Sequence, residues 1–427
     1  MTMRQDPIRA RRLRPKIERR VFAILLLLGL VACSGLLDVS NPAQVDEADL
    51  DNPALAETML NGALGRFECA FVNYIIAAAV LNEEFLHGSS WVSLSPHATR
   101  STSLENQVGA CPDNRSSNTT GAYTPLQQAR FLAEDGALRI EAFPDEAVPD
   151  KAEMLGWMAA YAGYSTLLLG EGWCEMAFDG EALQTRQQSF ARAEERFSSA
   201  ISIAQSVGEE EMEYMALVGR ARARLNQDDL AGAADDAEQV PEGFVRYAEY
   251  AAGISGDREN RIYNFHNVTR LVTTNWIEYG DLTLEGGVPD TRVPVEDTGG
   301  LTQSRGVPFW AQQKYPAADS PIPIASWEEA QLIIAEALPA EAEAAINRLR
   351  SSQGLPAYTP SGAGILADVI EERRRQLFLE GHRHNDRLRH DIPYLFTDQN
   401  HIGEFLGPVT CLPLPLQERD NNPNIGS

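Results

Sequence analysis

The chain has 427 residues, enough to bury a large core as one large domain or two of ordinary size. With 44% hydrophobic and 23% charged residues it is composed like a globular protein, which excludes global disorder. A formal net charge of −25 would repel a phosphate backbone and argues against a nucleic-acid partner.

The basic residues crowd the amino terminus. Residues 1–32 hold eight Lys or Arg, from Arg4 to Arg20, against two acids, ahead of the apolar run V-F-A-I-L-L-L-L-G-L-V-A. That run is short for a bilayer span and suits an export signal. It ends L-V-A-C at Cys33, and small residues before a cysteine resemble a bacterial lipobox, in which the thiol takes a diacylglycerol. The resemblance implies that 1–32 is removed as a lipoprotein signal peptide and that Cys33 becomes the lipidated first residue. Ser34, in place of Asp, implies sorting to the outer membrane. No later apolar stretch reads as long enough to cross, so lipid is expected to be the only anchor.

Four further cysteines, Cys69, Cys111, Cys174 and Cys411, permit disulfides in an exported chain, with three connectivities. The expected pairs are Cys69 with Cys111, closing a polar excursion, and Cys174 with Cys411, tying the tail to a helix end. Buried free thiols are the alternative. Zinc is disfavoured because no two cysteines form a CxxC pair.

Asp51, Asn52 and Pro53 predict a capped helix start, with a first helix to about residue 64 and a second over 67–86. Residues 88–124 are rich in Ser, Thr, Asn and Gly, lack periodicity and read as long loops. Helices are predicted over 124–134 and 153–169, the latter made slim by Gly156, Ala159, Ala160 and Gly163. Small residues at that spacing let a neighbouring helix approach closely, as tetratricopeptide-like pairs need. The partner is 187–206, with Phe190, Ala193, Phe197, Ala200, Ile201 and Ala204 on one stripe. Tyr214, Leu217, Val218, Ala221 and Leu225 mark a further helix, paired with 229–239.

Residues 241–326 interrupt the helices with many aromatics, glycines and prolines, and with β-prone pieces such as 271–274. Helical signals then return. Ala330, Ile333, Ile334 and Ala337 form one apolar stripe, and Ala342, Ala345, Ile346 and Leu349 form another. Pro339 fits the first turn of the second helix, and Gly354 with Pro356 fits its end, predicting an antiparallel hairpin. A third, charge-rich helix carries Glu371 to Arg375, with Glu380, Arg383 and Asp386 along it or just beyond. The tail from Gly407 alternates prolines and reads as extended.

The run E-R-R-R-Q-L-F-L-E-G-H-R-H-N-D-R-L-R, from Glu372 to Arg389, follows a hairpin ending A-I-N-R-L-R. With the closing P-L-P-L-Q-E-R-D-N-N-P it resembles the SusD/RagB family of outer-membrane nutrient-uptake lipoproteins. His384 stands where members usually carry an aromatic. The resemblance implies a mainly α, SusD-like fold: irregular tetratricopeptide-type helix pairs with long loop excursions and little β. Within one domain over 33–427, the frame would lie at 150–240 and 325–390, and the ligand loops at 88–124 and 241–325. It further implies a SusC-like, TonB-dependent barrel as partner, and capture of an oligosaccharide or other nutrient without catalysis. A lipid-anchored helical-repeat scaffold for a protein or peptide is the alternative.

The residues support binding over chemistry: there is no GxSxG, HExxH or phosphate-binding glycine loop, and no cofactor is implied. Glu83 and His87 have helical i, i+4 spacing but no third metal ligand, and Glu84 reads as solvated. His382, His384 and Asp386 form an H-x-H-x-D cluster that reads as structural. Glu372 with Arg375, and Glu380 with Arg383, have the spacing of helical ion pairs. Sugar rings stack their C–H faces on Trp and Tyr, so Trp91, Trp276, Trp310 and Tyr315 are the expected ligand contacts.

Overall fold

The structure, a computed structural model, describes residues 49–101, 111, 121–253 and 258–425. The signal peptide and the lipidated Cys33 lie outside the described residues. Met1–Asp51 and Asn52–Ser427 are separate units, and the elements below belong to the second.

Asn52 caps a short turn through its side chain, which accepts from the Ala54 amide at 3.1 Å. Helix α1 then runs unbroken over Ala56–Leu81, where the sequence suggested two helices. No proline interrupts it, and Gly65 alone is too weak a breaker once neighbours bury the helix. From Phe67 onward every residue of α1 is buried. By length and composition Pro53–Leu81 could cross a membrane, contrary to the sequence reading, but 83% of its most apolar window lies inside the protein. It is the central core helix, apolar all round because packing surrounds it.

Helices α2 (Tyr123–Ala142), α3 (Lys151–Gly172), α4 (Arg186–Val207), α5 (Glu210–Asn226) and α6 (Leu230–Ala237) follow, each packed on the next, with α2 and α3 also against α1. The slimness of α3 has a specific use. A Cβ on Gly163 would lie 2.7 Å from the Phe197 ring of α4, and one on Gly219 of α5 would lie 2.5 Å from the same ring. Phe197 is thus wedged between two glycines, with Tyr164 edge-on to it at 4.9 Å. Thr185 starts α4 with a reciprocal capping box to Gln188, and Gly208, at φ 77°, ends it.

The excursion after α6 is pinched at its neck. Strand β4 (Val245–Ala248) pairs antiparallel with β8 (Ile322–Ser326), Val245 opposite Ser326. That pairing returns the chain to α7 (Trp327–Ala337), which packs on α6 and is followed by α8 (Ala342–Ser352). The three expected helix pairs are therefore present: α3 with α4, α5 with α6, and α7 with α8. Pro339 falls in the link between α7 and α8, not inside α8. Strands are short but more frequent than expected. Besides β4 and β8 there are β1 (Phe85–His87), β2 (Glu175–Met176), β3 (Gln184–Thr185), β5 (Val272–Thr274), β6 (Val295–Leu301) and β7 (Pro308–Gln312). They form two-stranded antiparallel pairs β1–β5, β2–β3 and β6–β7.

The charge-rich third helix is two: α9 (Ile365–Gln376) and α10 (Arg383–His390). Between them Leu379 (φ 56°) and Gly381 (φ 87°) turn left-handed. A Cβ on Gly381 would also press on Tyr74 and Ile75 at 3.2 Å, so glycine fits on both counts. The charges here are core rather than surface. Glu372 accepts from Arg292 at 2.6 Å and from Arg350 at 2.5 Å, not from Arg375, which pairs with Glu371 and Asp290. Glu380 binds Lys314 at 2.6 Å, not Arg383. The expected i, i+3 pairs are displaced because burial offers each carboxylate a cation from another element.

Both cysteine pairs are as expected, Cys69 with Cys111 and Cys174 with Cys411. The second is reinforced by backbone: Leu412 donates to Gly172 O at 2.9 Å and Cys174 donates to Leu412 O at 3.2 Å. The tail is extended there, then turns into a short helix, Leu416–Asn421, that the proline pattern concealed.

Candidate functional site

The excursion places two of the four expected aromatics at one turn. Asn275, at the end of β5, caps the short helix Trp276–Tyr279 by accepting from the Ile277 amide at 3.2 Å. The Gly280 amide closes that helix on Trp276 O at 3.0 Å. Trp310, on β7, is held by its own amide, which donates to Thr273 Oγ1 of β5 at 2.8 Å. Its ring covers Gly280: a Cβ there would lie 3.0 Å from Trp310 Cζ3 and 2.5 Å from Trp276 O. Trp276 and Trp310 are both partly exposed. Asp297, exposed on β6, stands opposite Trp310 in the β6–β7 ladder, so their side chains share a face of the hairpin. Ile277, 55% exposed, extends the apolar surface beside Trp276.

Phe309 alternates with Trp310 along β7 and looks the other way. It packs on His266, 5.0 Å between ring centres, and His266 stacks on Phe85 of β1 at the same distance. Burial pulls His266 down to about 3, its hydrogen bond to Asn267 opposing, so the ring is neutral packing material. This buried layer fixes β7, and with it the tryptophan on the opposite side.

Trp91 lies apart from the pair, edge-on to Phe265 at 5.6 Å in the loop after β1. Its loop is tied down by polar contacts: Arg305 Nε donates to Ser89 O at 2.7 Å, the Ser90 amide donates to Ser304 Oγ, and Arg305 pairs with Glu404 at 2.7 Å. Phe405, 80% exposed, follows Glu404. No ring contact joins Trp91 to Trp276 or Trp310 among the described residues.

Tyr315 is not on a surface. It is 3% exposed, donates its hydroxyl to Leu379 O at 3.3 Å and belongs to the core, which removes it from the candidate site. Glu83 and His87 do not share a helix face either. Helix α1 ends before them, Glu83 sits at φ 71° accepting from the amides of Leu395 and Phe396, and His87 is in β1. Glu84, read as solvated, is 1% exposed and accepts from Leu379 N and Asn82 Nδ2, with burial raising its carboxyl above the usual range.

His382, His384 and Asp386 go to three different partners. His382 Nδ1 is 3.7 Å from Glu329, His384 Nε2 donates to Gly172 O at 3.2 Å, and Asp386 accepts from Arg373 at 2.8 Å. Among the described residues no group of three or more His, Cys, Asp or Glu is placed to hold a metal. Sequence reasoning missed Asp297 and Ile277, which carry no motif. Asp297 meets Trp310 only through strand register, whereas Ile277 simply follows Trp276 in the chain.

The fold is SusD-like. A SusD-like carbohydrate binding protein from Bacteroides vulgatus ATCC 8482 superposes with a TM-score of 0.63 at 15% identity, over 88% of this chain and 97% of that one. A SusD superfamily protein from the same organism gives 0.67 at 15% identity, over 88% and 100%. A SusD homolog from Bacteroides thetaiotaomicron VPI-5482 gives 0.65 at 14% identity, over 90% and 98%. No family model and no curated protein matches the chain. The likeness is thus one of backbone, and it agrees with the resemblance carried by Glu372 to Arg389.

Proposed function

We propose that this protein is the substrate-capturing lipoprotein of an outer-membrane nutrient uptake complex, a SusD/RagB-type subunit that binds an oligosaccharide or similar nutrient and catalyses no reaction. Anchored through a lipid on Cys33 and facing outward, it closes as a lid over a SusC-like, TonB-dependent barrel. Substrate is held between the two until energy delivered to the barrel drives import. The observation that carries this reading is the partly exposed Trp310 ring, seated over Gly280 with exposed Asp297 opposite it in the β6–β7 ladder, on the excursion of a SusD-like frame. Stacking of a sugar C–H face on the Trp310 indole, with a carboxylate to accept from hydroxyls and a second, partly exposed tryptophan at the start of the turn that the ring covers, is chemistry suited to a glycan.

Two measurements test the reading. Trp310→Ala should weaken oligosaccharide binding about 2- to 13-fold, one stacked ring being worth about 0.5–1.5 kcal/mol, while the unfolding midpoint stays within a few degrees. Trp91→Ala should cost less, because Trp91 lies outside the pair. Purification from the native outer membrane in mild detergent should bring down a large β-barrel receptor at stoichiometric yield. Unchanged binding by the Trp310 variant would remove the proposed site, and absence of any barrel would remove the uptake role.

A further inference from the structure

A second concavity lies away from the tryptophans, where the ends of α3, α4, α5, α7 and α10 meet. Its volume is 610 Å3, within the range of about 300–1,000 Å3 usual for small-molecule sites. Arg186, Arg389 and His390 line it together with apolar Phe190, Leu366 and Leu388. Asp228 and Glu336 also line it, so the sign of the site depends on which cations those acids already neutralise.

The ion pairs around the cavity leave one arginine over. Glu336 accepts from Arg389, lies 3.0 Å from His390 Nε2 and 3.6 Å from Arg373. Asp386 takes Arg373 at 2.8 Å and lies 3.9 Å from Arg389. Two carboxylates therefore already serve two arginines and a histidine. Arg186 has only neutral partners: its Nε donates to Gly170 O at 2.8 Å and its Nη2 to Asn385 Oδ1 at 2.6 Å. Those bonds, with the Phe190 ring 5.6 Å beneath the guanidinium, fix its orientation and leave Nη1 without a hydrogen bond among the described residues. Burial lowers the proton affinity of Arg186, Glu171 opposes, and nearby Arg389 adds to the lowering. Two like charges held on one cavity wall are relieved by an anion between them.

We propose that this cavity binds the carboxylate of a small organic acid. Arg186 offers its unbonded Nη1 to a carboxylate oxygen, Arg389 adds positive charge from a guanidinium already held by Glu336, and Phe190, Leu366 and Leu388 receive the apolar body. The proposal uses none of the residues of the tryptophan site, so its fate is separate from that of the uptake reading.

The carboxylate could belong to a sugar acid or to an acylated amino acid, and calorimetry on the full chain in mild detergent distinguishes them. The probes are galacturonate beside its methyl ester, and N-acetylleucine beside its amide. At least one acid should bind, with its neutral counterpart about ten-fold weaker or worse. Arg186→Gln should weaken that acid by a similar factor, and Trp310→Ala should leave it unchanged. Because Arg186 also holds Gly170, a second variant is needed: Leu366→Asp, at a side chain 48% exposed, places a repelling charge at the cavity without disturbing packing and should weaken the acid too. No binding by either acid, equal binding of acid and neutral derivative, or binding that survives both variants would overturn the proposal.

Discussion

The Phe197 wedge allows a test in which one substitution reverses the sign of another. Glycine in a helix interior costs about 1 kcal/mol relative to alanine, so Gly163→Ala and Gly219→Ala would stabilise α3 and α5 if space allowed. Space does not allow it, because each new Cβ would fall 2.5–2.7 Å from the fully buried Phe197 ring. Overpacking of that kind costs about 1–3 kcal/mol, which equals or exceeds the helix gain, so each glycine variant should be neutral to destabilised by about 2 kcal/mol. Phe197→Ala alone removes the ring and should cost about 3–5 kcal/mol. In that background the clash is gone, and both alanines should become stabilising by up to about 1 kcal/mol each. Urea unfolding followed by far-ultraviolet circular dichroism, comparing midpoints at constant slope, gives the double-mutant cycle. Glycine variants that stabilise the wild-type chain as much as they stabilise Phe197→Ala would refute the wedge.

Three further outcomes follow from the buried charges and the tail. Glu372→Gln takes the shared carboxylate from Arg292 and Arg350, which keep Asp290 and Glu285, and should cost about 1.5–3 kcal/mol, whereas Glu371→Gln, at a half-exposed site, should cost under about 1 kcal/mol; equal midpoint shifts in urea would contradict the buried assignment. Burial raises Glu329 to about 8 despite Arg222 and Arg373. Its folded form keeps the proton after the unfolded form has lost it, so it opposes folding progressively as pH rises from about 4.5 to 8. Glu329→Gln should therefore gain stability relative to the parent across that window, and a difference that stays flat from pH 5 to 8 would exclude the effect. Cys174→Ser with Cys411→Ser should release the tail, exposing residues after 411 to limited proteolysis and lowering stability by roughly 2–5 kcal/mol; a tail that stays protected would show that the Gly172–Leu412 backbone bonds suffice.

Much of the frame was legible in the sequence because it is local. The α4 stripe, the slim face of α3 and the α7–α8 stripes are set by spacing within one helix, and each lies where the periodicity placed it. The division of α1 into two failed because a lone glycine yields to surrounding packing. The separate helix α10 was not foreseen, because the left-handed turn at Leu379 and Gly381 that restarts the chain is shaped by Tyr74 and Ile75 from a distant helix. Tyr315 failed for a related reason. An aromatic in a polar, proline-punctuated stretch gives no sign of its burial, which is set by distant partners such as the Leu379 carbonyl.

What the sequence determined by itself was the repeat frame and the resemblance carried from Glu372 to Arg389, features of spacing and local pattern, while the two expected cysteine pairs, one of three connectivities the sequence allows, needed the fold to settle them. Only the tertiary structure decided which carboxylate meets which cation, since Glu372 finds Arg292 and Arg350 across 80 and 22 residues rather than the arginine one turn away. It also set the Trp310 ring over Gly280, with Asp297 opposite in the ladder, and left Arg186 with neutral partners. Helical and strand periodicities record the local pattern of burial. Long-range polar partners depend on where separate elements come to rest, and no local spacing encodes that.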